Sequence, residues 1–127
     1  MNHAPLPHQH SDRAEELRIA MPGEDVFRTV SDAFKLLSDP TRMQLYWLLC
    51  HCEECVLNLG VLMNMSSPAI SHHLKLLKAT GLITSRREGK EVYYTVARTD
   101  NAQHLHQIIE KMIRVTCPSA EGISDHS

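Results

Sequence analysis

The sequence has no long apolar run. No segment approaches the roughly 20 consecutive apolar residues of a membrane span, and Met1 to Arg13 lacks the apolar stretch of a secretory signal. The expectation is a cytoplasmic chain with no membrane partner. There is no Gly-rich phosphate loop, no G-x-S-x-G and no H-E-x-x-H, and no segment reads as a substrate-binding element, so an enzyme is not expected. No internal repeat is present. Positive charge is not in excess either: 13 Lys and Arg face 15 Asp and Glu, for a net charge of -2. That sum argues against non-specific nucleic-acid binding by the whole chain and leaves the local distribution to decide. Four cysteines in a reducing compartment read as thiols, ligands or redox sensors rather than a disulfide framework.

What is present fits one globular domain. The 127 residues are 43% hydrophobic and 22% charged. A domain of this size leaves apolar surface uncovered, which a dimer would bury. Residues 1–11 are rich in His and Pro and read as a disordered tail. His3, His8 and His10 are either metal ligands or spare polar residues there. The domain is expected over 12–118, with a flexible tail over 119–127.

Ser11 or Asp12 caps a short helix ending near Pro22-Gly23. Phe27, Val30, Phe34 and Leu37 then share a helical face. Asp39 suits an N-cap and Pro40 the first helical position, where a missing N–H costs nothing. That helix should reach about Cys50 and bury Leu45, Leu48 and Leu49. Residues 51–55 break the pattern. Val56 to Met63 form a short helix, and Asn64 to Ser66 a turn. Ser67 caps a helix that begins at Pro68 and stops near Gly81. Leu82–Glu88 and Glu91–Val96 read as strands joined at Gly89-Lys90. A last helix begins near Asp100, with Leu105, Ile108, Ile109, Met112 and Ile113 in helical period.

A short helix, a tight turn and a second helix set across it form a unit whose second helix can enter a DNA major groove. Ser67, Ser71 and His72 lie in the N-terminal half of that helix, where polar side chains reach base edges. Lys75, Lys78, Arg86, Arg87 and Lys90 supply charge for phosphates. Over residues 72–90 these five cations face a single acid, Glu88. The hairpin then lies beside the backbone as a wing. The bland alternative is a solvated basic helix and an ordinary hairpin.

Three runs carry a family resemblance: Ser38-Asp-Pro-Thr-Arg42, Ser67-Pro-Ala-Ile-Ser-His-His-Leu-Lys75, and Gly81-Leu-Ile through Arg86-Arg-Glu-Gly-Lys90 to Val92-Tyr-Tyr94. Together they closely resemble the ArsR/SmtB family of metal- and thiol-responsive repressors, over about residues 26–118. The resemblance implies a mainly α fold with a small β-hairpin wing, a winged helix-turn-helix. It further implies a homodimer built through the first and last helices, bound to double-stranded operator DNA. His72 and His73 then read as DNA-facing or packing residues.

Cys50, Cys52 and Cys55 fall within six residues. Thiolates select Zn(II), Cd(II), Pb(II) or trivalent arsenic and antimony, and Cys52 and Cys55 have a spacing common in zinc loops. Cys50 and Cys52 cannot face one ion from a regular helix, so the helix must end between them. The resemblance helps only in part. Cys55 matches the first cysteine of the family's Cys-Val-Cys motif, but Leu57 replaces the second. The C-x-C-x2-C spacing of arsenic-responsive members is present, five residues further upstream. Asp100, His104, His106 and Glu110 do not match the family's last-helix site, and His106 with Glu110 reads as an exposed pair one turn apart. Cys117 resembles the second cysteine of redox-sensing members, whose first would fall at Trp47; Cys50 lies one turn on. Three readings stay open: a soft metal or metalloid at Cys50, Cys52 and Cys55; a thiol or persulfide switch using Cys50 and Cys117; and plain core thiols. A metal-buffering or interaction module without operator binding is the rival of another class.

Overall fold

The computed structural model describes residues 4–117. The candidate ligand His3 and the tail over 119–127 lie outside the described residues. The elements in order are α1 (Arg13–Ala20), α2 (Glu24–Leu36), α3 (Pro40–His51), β1 (Glu54–Cys55), α4 (Val56–Met63), α5 (Ser67–Ala79), β2 (Ile83–Glu88), β3 (Glu91–Val96) and α6 (Asp100–Thr116). The chain divides into two compact units, one up to Asp32 and one from Ala33.

The first unit has little to bury. α1 has no buried residue and is supported by i,i+3 ion pairs, Arg13–Glu16 and Arg18–Glu15. Asp12 takes the N-cap position without a side-chain bond, while Arg13 N–H donates to Ser11 Oγ. Leu17, Ile19, Met21, Val26, Phe27 and Val30 are all exposed in the single chain. His8 and His10 are exposed too, with their rings stacked at 5.8 Å.

The second unit holds the core. Asp39 caps α3 by accepting from Arg42 N–H at 2.9 Å, and Pro40 follows in the first turn. α3 buries Leu45, Tyr46, Leu49 and Cys50. They meet Leu59 of α4, Ile70, Leu74 and Leu77 of α5, and Leu105 and Ile109 of α6. Of the face predicted for α2 and its continuation, only Leu37 is buried; Phe34 is half exposed. The phenol of Tyr46 lies in this core and donates to the Ala102 carbonyl at 2.6 Å, tying α3 to α6. Burial pushes its pKa far above the ordinary tyrosine value.

The α4–α5 turn is tight. Asn64 adopts a left-handed conformation, φ 54°, which Asn tolerates better than most residues. Gly60 is required, since a Cβ there would stand 2.8 Å from the Met65 carbonyl oxygen. The cap of α5 is a correction: Ser66, not Ser67, accepts from Ala69 N–H, and Ser67 is the first helical residue. Two adjacent serines offer the same chemistry, and only the backbone of Ser66 is extended enough to cap.

The hairpin turns at Gly89-Lys90 as predicted, and its strands close at Glu88↔Glu91. A third strand was not predicted. β1 pairs antiparallel with β3, Glu54↔Tyr94 and Cys55↔Tyr93, giving the sheet order β1-β3-β2. Two residues carry no periodicity, so the pairing comes from tertiary contact alone.

Candidate nucleic-acid interface and effector cleft

α5 is two-faced. Ile70, Leu74 and Leu77 point into the core, and Ser71, His72, Lys75 and Lys78 are exposed on the other side. The cap at Ser66 and the left-handed stop at Gly81, φ 78°, set the helix length. Ser67 is half-buried at the N-terminus. The two histidines separate. His72 stays in solvent, whereas His73 is half-buried and its Nδ1 accepts from Arg42 Nε at 3.2 Å. Burial and the Arg42 charge hold His73 below its ordinary pKa, so it stays neutral. Arg42 also donates to the Leu36 carbonyl. His73 therefore links α5 to α3 through Arg42.

The cations of the wing also separate. Arg86 is engaged: it donates to both carboxylate oxygens of Glu53 at 2.7 and 2.9 Å and to Glu88 at 2.7 Å. Its guanidinium lies 4.9 Å from the centre of the Tyr93 ring. Those acids raise its pKa further, and Arg86 in turn holds Glu53 below the usual carboxylate range. Lys78 donates to Ser85 Oγ at 2.6 Å, clasping α5 to β2. Lys75, Arg87 and Lys90 are exposed and belong to no ion pair among the described residues. The acids that quench Arg86 come from Glu53 and from its own strand. Counting charges over residues 72–90 could not reveal Glu53, thirty-three residues away.

The thiols lie at the other end of α3. The helix ends at His51, where the apolar pattern breaks, and Cys52 is extended at φ -151°. Cys50 and Cys55 are buried and Cys52 is half-buried. Cys52 Sγ–H donates to the Leu48 carbonyl. Burial, and then the charge of Glu54, push the Cys52 thiol up, so its thiolate is disfavoured. Cys117 is exposed at the C-cap of α6.

Beside these thiols is a cleft of about 660 Å³, lined by Cys50, His51, Cys52, Arg98, His106 and Gln107 among others. His51 Nε2 lies 2.8 Å and His106 Nε2 3.2 Å from one oxygen of Glu110, which also accepts from Trp47 Nε1–H at 2.9 Å. Burial alone would raise the Glu110 pKa, but hydrogen bonds from His51 and His106 bring it below its usual value. His106 and Glu110 are thus not the exposed pair expected: their side chains are 13% and 14% exposed. The helical spacing showed their pairing. It could not show Trp47 and His51 arriving from α3. Among the described residues, the set His51, His106 and Glu110 has donor atoms within 4.8 Å of one another, and the three thiols form no such set.

A short helix, a turn, an outward helix and a two-stranded wing define a winged helix-turn-helix, a DNA-binding fold. The comparisons agree. Residues 39–85 match the model of the bacterial regulatory proteins of the arsR family. A cadmium resistance transcriptional regulatory protein CadC homolog of Staphylococcus aureus is 40% identical over 83 residues, 65% of this chain and 65% of that protein. A transcriptional repressor SmtB homolog of Synechocystis is 32% identical over 91 residues, 72% of this chain and 69% of that one. Among solved structures, HlyU from Vibrio cholerae superposes with a TM-score of 0.65 at 26% identity, covering 75% of this chain and 99% of that one. A homodimeric winged helix-turn-helix DNA-binding domain from Mycobacterium bovis shares the fold, with a TM-score of 0.65 at 22% identity over 94% of this chain and 100% of that one. The chain belongs to the arsR family of bacterial transcriptional regulators. Its family and fold are those of DNA-binding regulators and not of enzymes. Among the described residues no helix is long and apolar enough to cross a membrane.

Proposed function

We propose that this protein is a homodimeric repressor that binds operator DNA through α5 and the wing and is released by a metal or metalloid ion. The observation that carries the DNA-binding part is the outward face of α5. It presents Ser71, His72 and Lys75 to solvent while its other face is locked into the core. Ser71 and His72 suit base edges, and Lys75, Arg87 and Lys90 suit phosphates. Ser67 and Lys78 sit at the margins of that surface. Dimer formation is supported by apolar side chains left exposed in one chain, Phe27, Val30 and Phe34 on α2 and Ile108, Met112 and Val115 on α6. A two-fold pair of recognition helices would meet half-sites about 34–36 Å apart.

The names of the cadmium- and SmtB-type relatives support a metal effector. Cys50, Cys52 and Cys55 have the donor chemistry for Cd(II), Pb(II), Zn(II) or arsenite. In this structure their sulfurs are not gathered, and Cys50 and Cys55 face inward. A soft ion there would require the 52–55 segment to rearrange, and that segment carries β1 and Glu53. Rearrangement would therefore disturb the wing through Arg86. A 100-fold loss of operator affinity needs only about 2.7 kcal/mol of such coupling.

The test is binding of the purified protein to its own promoter DNA across a salt series, with and without each ion. Affinity should fall linearly with log salt at a slope of about -0.9 per phosphate contacted. Cd(II), Pb(II) or arsenite should then release the DNA. Absence of operator binding at low salt would leave a metal-buffering module instead. Release by peroxide or polysulfide but by no ion would assign the switch to Cys50 and Cys117.

A further inference from the structure

We infer that His51, His106 and Glu110 form a binding site for one borderline divalent cation, of the Zn(II), Co(II) or Ni(II) kind, held between α3 and α6 of a single chain. The argument starts from convergence. Two imidazole nitrogens and one carboxylate, from two helices, bring their donor atoms within 4.8 Å of one another. A tetrahedral ion with bonds of about 2.0–2.2 Å sets its ligand atoms roughly 3.3 Å apart. The His51–Glu110 and His106–Glu110 separations are 2.8 and 3.2 Å. Small side-chain rotations therefore admit the ion.

The surroundings suit a cation better than a simple ion pair would need. The three side chains are sheltered, at 16%, 13% and 14% exposed, and His51 and His106 line the neighbouring cleft. That cleft leaves room for a water as the fourth ligand. His106 and Glu110 are four residues apart on α6, a spacing that puts both on one face. Trp47 Nε1–H donates to the same Glu110 oxygen at 2.9 Å, and the indole lies 4.5 Å from the His51 ring, tilted by 44°. A donor in that position orients a ligating carboxylate from outside the first ring of ligands. The carboxylate only accepts, so each Nε2 now carries the proton that it donates. The ion takes the place of those two protons, which move to Nδ1 or to solvent. Imidazole and carboxylate donors suit Zn(II), Co(II) and Ni(II), whereas Cd(II), Pb(II) and arsenite prefer thiolates. The site thus disfavours Cd(II), Pb(II) and arsenite; Zn(II) suits Cys50, Cys52 and Cys55 as well, and a thiolate band tells the two sites apart.

Trp47 is the only tryptophan in the chain and reports the site directly. The experiment is a titration of the full-length protein with Zn(II) alone, followed by Trp47 fluorescence, and with Co(II), followed by visible absorption. Saturation at one ion per protomer is expected, with Co(II) bands free of the intense near-ultraviolet thiolate charge transfer. His106→Gln and Glu110→Gln should each weaken Zn(II) binding by at least about 100-fold, while His104→Gln, exposed on the same helix, binds as the unaltered chain does. The circular dichroism and melting of each variant show whether it is folded, and the Co(II) spectrum needs no variant at all. Binding that survives both Gln substitutions, a strong thiolate band, or no binding in the micromolar range each overturns the inference. None of these readings involves DNA, so their failure leaves the proposed repressor untouched, and the reverse holds.

Discussion

The two ends of the second unit handle polar groups in opposite ways. On α5 and the wing, Ser71, His72, Lys75, Arg87 and Lys90 point outward and engage no partner side chain among the described residues beyond the tilted ring contact of His72 with His73. At the end of α3, Trp47, His51, His106 and Glu110 turn toward one another and shed most of their solvent. The first arrangement leaves desolvation and pairing to a large polyanion. The second has already met those costs internally, and its donors converge on a volume the size of a single ion. A surface for a macromolecule and a socket for a small ligand are therefore distinguishable by whether the polar groups satisfy each other.

The sharpest way to break this comparison is to remove the outward cations. Lys75→Ala with Arg87→Ala should cost about 1.5–3 kcal/mol of operator affinity for each cation lost and flatten the salt slope by about 0.9 per residue. Fluorescence anisotropy on promoter DNA measures both, and an unchanged slope would remove the interface from this face. Arg86→Ala should change the slope far less, because Glu53 and Glu88 already hold that guanidinium.

Tyr46→Phe probes the inward end. It deletes the hydroxyl that donates to the Ala102 carbonyl, which keeps its helical N–H partner within α6. A loss of about 0.5–1.5 kcal/mol in denaturant unfolding is expected. A neutral result would show that this hydrogen bond adds nothing to the other contacts between α3 and α6. Next in size is the cap of α5. Ser66→Ala should destabilise by about 1 kcal/mol, with Ser67→Ala costing much less, since only Ser66 Oγ receives a backbone N–H. The reverse order would restore Ser67 as the cap.

The smallest effect sharpens the boundary between the two ends. Glu53→Gln should release Arg86 for phosphate and steepen the salt slope by up to about 0.9. If the slope stays put, the Glu53–Arg86 contact does not regulate the wing.

Much of the architecture was legible beforehand because it is written locally. Asp39-Pro40 announced the start of α3, Gly81 the end of α5, and Gly89 the hairpin turn. The alternation of Ile70, Leu74 and Leu77 with Ser71, Lys75 and Lys78 showed which face of α5 is outward. The apolar pattern of α3 fails after Cys50, and the helix stops at His51. The choice between Ser66 and Ser67 was not legible, since it turns on one backbone angle.

By itself, then, the sequence determined the helices, the hairpin and the side of α5 that meets solvent, because periodicity and capping act over a few residues. Only the tertiary structure decided that β1 joins β3, that Glu53 occupies Arg86, that His73 belongs to Arg42, and that Trp47 and His51 reach Glu110. Each of those contacts joins residues thirty or more apart. Coulombic and hydrogen-bond partners at that separation leave no pattern along the chain; they exist only once the core has brought the helices together.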